Sequence, residues 1–148
     1  MSDLDDTNRQ ILRALHADPR MSMSALGREV GLAAPSVTER VQRMQQSGVI
    51  TGFRMEVEPA ALGMPVAAFV RLRPAPGQLS RLADLAASID QVSECHRITG
   101  EDCFLVKIHA ATVAALEDVL DRFLVHGQTI SSIVVTSPVP PRPLPIPD

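Results

Sequence analysis

The side chains best suited to metal binding or nucleophilic catalysis lie in the second half of the chain, where Cys95, His96, Cys103 and His109 occur. Thiolates and imidazoles are zinc ligands. However, neighbours on a strand such as Cys95 and His96 point to opposite faces, and the chain has no CxxC or HxxxH pair. We therefore expect no metal site, with Cys95 buried as a small apolar residue and both histidines on polar faces. Because no G-x-S-x-G nucleophile motif or glycine-rich phosphate loop occurs, the sequence predicts no catalytic residues and disfavours an enzyme.

A stretch between residues 35 and 44 carries side chains suited to nucleic-acid recognition. Val37, Val41 and Met44 recur at helical spacing, so the polar residues between them lie on the opposite side of a helix. Hydroxyls and amides bond base edges or phosphate oxygens, and arginines supply positive charge. Ser22 and Arg54, which lie outside this stretch, are added as flanking positions. The candidate DNA contacts are therefore Ser22, Ser36, Thr38, Glu39, Arg40, Gln42, Arg43 and Arg54. On spacing alone, the alternative is an ordinary solvated helix face.

The charge distribution indicates where a DNA contact would form. The formal net charge is −3, but five arginines and only two glutamates lie from Arg20 to Arg54, which leaves a local excess of +3. The chain has no Trp or Tyr and only four Phe, which argues against a single-strand binder that stacks bases on aromatic rings. Two cysteines, a polar start and no long apolar run predict an unsecreted, cytoplasmic protein without a membrane partner.

Three helices are expected to position the candidate DNA contacts. The first covers residues 5–16, where Asp18-Pro19 stops the apolar pattern. Ser22 can cap a second helix that ends at Gly31, and Pro35 opens a third that ends near Gly48. The second and third helices, joined by residues 31–34, fit a helix-turn-helix whose second helix enters the major groove.

The second half alternates strand and helix patterns. Strands are expected at residues 66–73, 92–99, 104–110 and 130–136, and helices at 79–89 and 113–125, with a turn at 100–102. The order βαββαβ is that of a ferredoxin-like fold, with both helices on one face of the sheet, so the fold class is α+β. Phe69 and its apolar neighbours then need a second subunit to cover the opposite face.

Composition changes mark the boundaries between these parts. Prolines and glycines cluster after Pro59, so we expect a DNA-binding domain at 1–58, a linker at 59–64, a ferredoxin-like domain at 65–137 and a tail at 138–148. The tail holds six prolines in eleven residues and is expected to be extended polyproline II. A solvated or loosely docked tail is favoured over a ligand for a proline-reading groove.

Together these motifs resemble the Lrp/AsnC, or feast/famine, family of transcriptional regulators, over roughly residues 4–138. The resemblance rests on Leu4-Asp5 with Ile11-Leu12, Arg20-Met21-Ser22, Val30-Gly31-Leu32, Val37, Arg40, Val41 and Arg43, and the runs 48–53, 99–104 and 127–134. The run 48–53 is similar to the strand that follows the family's recognition helix. The chain departs from the family pattern at Asn8, Ala33 and Ile130, and Ala33 lacks a capping oxygen worth ~1 kcal/mol.

The resemblance implies a winged helix-turn-helix followed by a RAM/ACT-like effector and oligomerisation domain. It implies a sequence-specific transcriptional regulator that binds double-stranded DNA and needs no cofactor. The implied effector is a small metabolite, namely an amino acid. The implied assembly is a homodimer that associates further to an octamer, and the implied location is the nucleoid in the cytoplasm. Two turns expose N–H groups, hydroxyls and acids suited to a zwitterion, at Gly100, Glu101, Asp102, Cys103, Thr129, Ser131 and Ser132. Alternatively, Glu101 and Asp102 bind no ligand and are only the hydrated surface residues of a hairpin. From another functional class, the second hypothesis is a metabolite-sensing subunit that acts through a protein partner.

Overall fold

The computed structural model describes residues 4–147, so the first residues of the expected DNA-binding domain and the last residue of the expected tail lie outside it. The chain forms two compact units: residues up to Met55 together with those from Val139 onward form one, and Glu56–Pro138 form the other. We call them the helical unit and the sheet unit.

The helical unit contains α1 (Asp6–Ala17), α2 (Met23–Val30) and α3 (Ala34–Gln46). Asp5 and Ser22 cap the first two helices, because each side chain accepts a backbone N–H three residues on. The helices bury one apolar cluster formed by Ile11, Ala14, Leu15, Leu26, Val37, Val41 and Met44. This core holds α3 with its apolar stripe inward and its polar side outward.

Two glycines make the turn between α2 and α3 possible. Gly31 has φ +70°, a left-handed conformation that L side chains rarely adopt. A Cβ on Gly27 would lie 2.5 Å from the carbonyl oxygen of Leu32, so a side chain there would displace the turn backbone. The tight turn therefore depends on both residues.

The sheet unit contains β1 (Val66–Pro74), α4 (Leu79–Ser88), β2 (Val92–Arg97), β3 (Phe104–Ala110), α5 (Val113–Leu124) and β4 (Gly127–Ile133). The strands pair antiparallel in the order β2-β3-β1-β4, and the α+β fold class is confirmed. One face of the sheet packs on α4 and α5 around buried residues that include Val70, Val106 and Phe123. The other face is open and carries Phe69.

Three expectations about local structure are wrong. No strand follows α3 within the described residues: the chain from Val49 to Glu58 has no partner strand to pair with, so no wing forms. The last strand begins at Gly127, earlier than expected, because Gly127 already pairs with Pro74 directly after α5. Cys95 is exposed, because it lies on the edge strand β2.

Candidate nucleic-acid interface and effector site

The outward side of α3 carries four of the expected DNA contacts. Ser36, Glu39, Gln42 and Arg43 are all exposed. Arg43 Nη2 lies 2.6 Å from Glu39 Oε1, one helical turn away, and both side chains are about 70% exposed. An ion pair this exposed is weak, so a DNA phosphate can replace Glu39 as the partner of the Arg43 guanidinium with a small loss of free energy.

Thr38 sits at the border of this surface and is half-buried. Its hydroxyl donates to the carbonyl of Ala34 at 2.8 Å, which fixes its side chain against the preceding turn. Oγ1 keeps acceptor capacity, and its donor is already used. Ser22 is similarly engaged, because its Oγ accepts the N–H of Ala25 at 3.2 Å while its side chain stays exposed at the start of α2.

Arg40 points away from the outward side of α3 and toward α1. Its Nη1 donates to Asp5 Oδ2 at 2.7 Å and to Asn8 Oδ1 at 3.0 Å. The Arg40 guanidinium is the main cause that holds the pKa of Asp5 below its usual value, and the Asn8 N–H adds to the effect. The geometry therefore makes Arg40 a residue that positions the recognition helix against its neighbour.

Arg54 follows α3 in the extended segment that has no strand partner. Its side chain is exposed, as are those of Arg20 and Arg28 elsewhere in the helical unit. Arg40 and Arg43 are both paired with carboxylates, which partly cancel their positive charge. Arg20, Arg28 and Arg54 therefore supply a large part of the positive field of the helical unit.

The second candidate site lies at one end of the sheet. Residues 100–103 lie in the connection from β2 to β3, which covers 98–103, and Leu72 of β1 pairs with both Phe104 and Thr129. The connection and the start of β4 therefore flank the same end of β1. The sequence placed residues 129–132 in a turn, but they lie inside β4 because that strand begins earlier than expected.

The strand register divides the hydroxyls of β4 between the two faces. Thr129 and Ser131 pair with Leu72 and Val70, so they point to the helix-covered side of the sheet. Ser132 pairs with Phe69 on the open side. The expected effector residues therefore reach one end of the sheet but do not share a single surface.

Two arginines that the sequence analysis missed bind the acids of this site. Arg73 Nη2 lies 2.7 Å from Glu101 Oε2, and Arg73 Nε lies 3.3 Å from Asp102 Oδ1. Arg71 Nη1 lies 3.6 Å from Asp102 Oδ2. The signal was available, since Arg71 and Arg73 alternate with core residues on β1 and so share its open face. The site combines guanidinium and carboxylate groups, as recognition of a zwitterion requires.

Beyond this cluster, the open face of the sheet mixes apolar and charged side chains. Phe69 is 39% exposed, and Lys107 Nζ lies 5.8 Å from the centroid of its ring. Glu94 lies 3.3 Å from both Lys107 and His96, and the His96 contact is the main cause that lowers its pKa. His109 is half-buried on this face, and burial lowers its pKa.

Neither a metal-binding cluster nor a membrane-spanning helix occurs among the described residues. No group of three or more His, Cys, Asp or Glu in residues 4–147 is placed to hold a metal ion. Over the same residues, none of the helices is long and apolar enough to cross a membrane.

Comparison with known proteins matches both units. The AsnC-type helix-turn-helix domain matches residues 4–45, and the Lrp/AsnC ligand binding domain matches residues 67–144. The chain is 32% identical over 131 residues to the HTH-type transcriptional regulator LrpC of Bacillus subtilis, across 88% of this chain and 91% of the relative. It is 34% identical over 135 residues to the regulatory protein AsnC of Escherichia coli, across 90% and 86%.

A solved structure matches over almost the full length. It is that of a feast or famine regulatory protein from M. tuberculosis complexed with L-methionine, with a TM-score of 0.89 and 32% identity. The match covers 97% of this chain and 99% of that chain.

Proposed function

Because this chain belongs to the Lrp/AsnC family of transcriptional regulators, we propose that it binds specific DNA sequences through α3 and responds to an amino acid bound at its sheet unit. It is a DNA-binding transcriptional regulator with a ligand-binding domain, which is a non-enzymatic class. This membership disfavours a subunit that acts only through a protein partner. Its proposed place of action is chromosomal DNA in the cytoplasm.

The exposed polar side of α3 is the observation that carries the DNA-binding part of the proposal. We assign base-edge contacts to Gln42 and Ser36 and phosphate contacts to Arg43 and Arg54, and the exposure of all four side chains supports this assignment. Thr38 is given an acceptor role because its hydroxyl already donates to Ala34. Ser22 is given a donor role toward a phosphate, because its oxygen accepts the Ala25 N–H and its own O–H remains available. Glu39 competes with the DNA for Arg43, and Arg40 contributes by fixing the angle of α3.

Two substitutions on the same helix separate base reading from phosphate binding. Gln42→Ala is expected to change which base pairs are preferred, because an amide can bond a base edge bidentately. Arg43→Ala is expected to weaken binding to every duplex and to lower the salt slope by about one unit. Gln10→Ala, on the exposed side of α1, is the matched control. Equal losses in both α3 variants with unchanged base preference would show that this side of α3 does not read DNA.

For the effector, we propose an amino acid bound at the end of the sheet where the acids and arginines meet. Arg71 or Arg73 is suited to the ligand carboxylate, and Asp102 or Glu101 to its ammonium group. Backbone groups of Gly100 and Cys103 and the hydroxyl of Ser132, which lies on the same open face as the arginines, complete the proposed set. Thr129 and Ser131 are left out because they point to the helix-covered side. The methionine complex of the related structure supports an amino acid as the ligand class.

Thermal-shift measurements with each of the twenty amino acids test the effector proposal. A ligand present at 100 times its dissociation constant stabilises the folded protein by ~2.7 kcal/mol. The Arg73→Ala variant is expected to lose that shift, whereas Arg81→Ala, an exposed arginine on α4, is expected to keep it. An equal shift in both variants would place the ligand elsewhere.

We further propose that the open face of the sheet packs against a second copy of the chain, and that the dimers assemble to an octamer. Phe69 and Ile130 are 39% and 49% exposed on this face. Charged groups on the β3 side of Phe69 are already paired, as with Lys107 and Glu94, so burial leaves few unsatisfied charges. A symmetric pair brings the same surface from both copies. Light scattering at micromolar concentration tests the proposal, and a monomer would contradict it.

A further inference from the structure

His109 is a titratable side chain on the open face of the sheet. Burial alternates along β3, so Ile108 packs in the core under the helices and His109 is directed to the open side. β3 is an inner strand, and His109 pairs with Ala67 of β1. The next pair on the same face is that of Phe69 with Lys107. His109 is therefore a neighbour of Phe69 on the surface proposed to join two copies.

The surroundings of His109 disfavour its charged form. Its Nδ1 atom is buried within its own chain and has no hydrogen-bond partner among residues 4–147, and a second copy would not reach an atom enclosed in this way. Burial is the main cause that lowers the pKa of His109 below its ordinary value near 6.5. Lys107 on the same strand adds to the effect, and Glu94 on β2 opposes it. From β1, Ala67 and Phe69 lie beside the ring and carry no charge.

The other charges near the open face are held in ion pairs. Three cations each lie within 3.6 Å of a carboxylate, namely Lys107 with Glu94, Arg73 with Glu101 and Asp102, and Arg71 with Asp102. His96 lies 3.3 Å from Glu94, so this carboxylate offsets a proton on His96. No carboxylate of the described chain bonds His109. A proton on His109 therefore adds an uncompensated charge, and a symmetric pair brings two such charges to one interface.

We propose that the open face is a pH-sensitive assembly surface, on which protonation of His109 in mild acid separates the two copies. Pairing covers the part of this half-buried residue that still contacts water, and so removes the solvent that would stabilise an imidazolium. Assembly is therefore at full strength above the pKa of His109 in the free chain and is lost as the pH falls below it. Acid also weakens DNA binding, because joined binding units gain avidity. The proposal rests on the open-face packing proposed above.

Sedimentation velocity of the full-length protein at a series of pH values tests the proposal. Each copy gains one proton on separation, so the dissociation constant of the pair rises by up to ~100-fold per pH unit. Between about pH 7.5 and about pH 5 we expect a rise of roughly 10-fold or more in the parent, and less than about 2-fold in His109→Gln, whose amide does not titrate. His16→Gln on α1 and His96→Gln beside Glu94 are the matched controls and are expected to respond as the parent does. Circular dichroism at each pH reports whether each variant is folded.

The outcomes separate the pH response from the packing on which it rests. A parent that pairs near neutral pH, is separated by Phe69→Asp and keeps its dissociation constant in acid would overturn the pH response and leave the open-face packing intact. Equal pH dependence in the parent and His109→Gln, its loss in His96→Gln, or tighter assembly in acid would each overturn the role of His109. A monomer near neutral pH would refute the packing and this proposal together.

A second measurement needs no variant. Calorimetric dilution of the parent in two buffers of different ionisation enthalpy gives the number of protons taken up when the pair separates. Uptake is expected at about pH 6, where histidine titrates. The absence of uptake would overturn the proposal even if His109→Gln did not fold.

Discussion

Replacing Asp5 by alanine is expected to destabilise the helical unit at two contacts at once. Asp5 Oδ1 accepts the N–H of Asn8 at 2.7 Å and caps α1, while Oδ2 accepts a hydrogen bond from Arg40 at 2.7 Å. One carboxylate therefore begins α1 and fastens α3 to it. If Arg40 positions the recognition helix, the stability of α3 depends on an acid that lies 35 residues away.

The expected loss follows from the two contacts. Removal of an N-cap oxygen costs ~1 kcal/mol. The ion pair is half-exposed, with side-chain exposures of 50% for Asp5 and 31% for Arg40, so we assign it ~0.5 kcal/mol, within the range for surface pairs. The sum for Asp5→Ala is ~1.5 kcal/mol. Asp5→Asn keeps an equally good cap and loses only the ~0.5 kcal/mol of the ion pair.

Amide hydrogen exchange in α1 and α3 of the full-length protein measures these losses locally. Asp6→Ala is the matched control, because Asp6 is also an acid in the first turn but is 93% exposed and bonds Arg9 of the same helix. Its expected loss is at most ~0.5 kcal/mol, as for other exposed pairs. If Asp5→Ala costs no more than Asp6→Ala, or if α3 is unaffected, Arg40 does not act through Asp5.

The pH dependence gives an independent check with a definite sign. The pKa of Asp5 is lowered in the folded protein, so its contribution to stability is fully present above the ordinary value near pH 4 and is lost as the pH falls through the folded-state pKa. The difference in stability between the parent and Asp5→Asn is therefore expected to shrink on acidification below about pH 4. A difference that grows in acid would contradict the assignment.

Three further substitutions test the proposed contacts. Arg54→Ala is expected to weaken binding to all duplexes and lower the salt slope by about one unit, and an unchanged slope would remove Arg54 from the interface. Phe69→Asp is expected to convert the assembled protein to monomer in light scattering, because it places a charge at the centre of the open face, and an unchanged mass would show that this face is free. Asp102→Ala is expected to abolish the thermal shift given by the effector amino acid, and a retained shift would remove Asp102 from the site.

The helices and most of the strands could be predicted because their signals are local. Ser22 and Gly31 delimit α2 through a cap and a left-handed residue, and both choices depend only on the adjacent backbone. β1 similarly shows its two faces by alternation: Val70 and Leu72 are apolar residues of the covered face, and Phe69 and Arg71 lie on the open face. The same local patterns predicted the order of the units, and the resemblance to a family of regulators then supplied their expected roles.

The contacts of the two sites could not be predicted in the same way, because they depend on register and on distant residues. The partners of Arg40 lie at the N-cap and in the first turn of α1, and the acids near Arg73 reach it only through the pairing of β1 with β3. The faces of Ser131 and Ser132 likewise depend on the pairing of β4 with β1, which sets Ser131 beside Val70 and Ser132 beside Phe69. Periodicity identifies a strand but does not identify where it starts.

The central claim, sequence-specific DNA binding through α3, is tested most directly by a specificity ratio at fixed salt. Two dissociation constants of the full-length protein are measured, one for a duplex from upstream of its own gene and one for a shuffled duplex of equal length and composition. The specificity ratio is the constant for the shuffled duplex divided by the constant for the upstream duplex. The account predicts a ratio of at least ~1,000, the lower end for specific regulators, and a reduced ratio for Gln42→Ala. A ratio near one in the parent protein, with salt-sensitive binding to both duplexes, would contradict it.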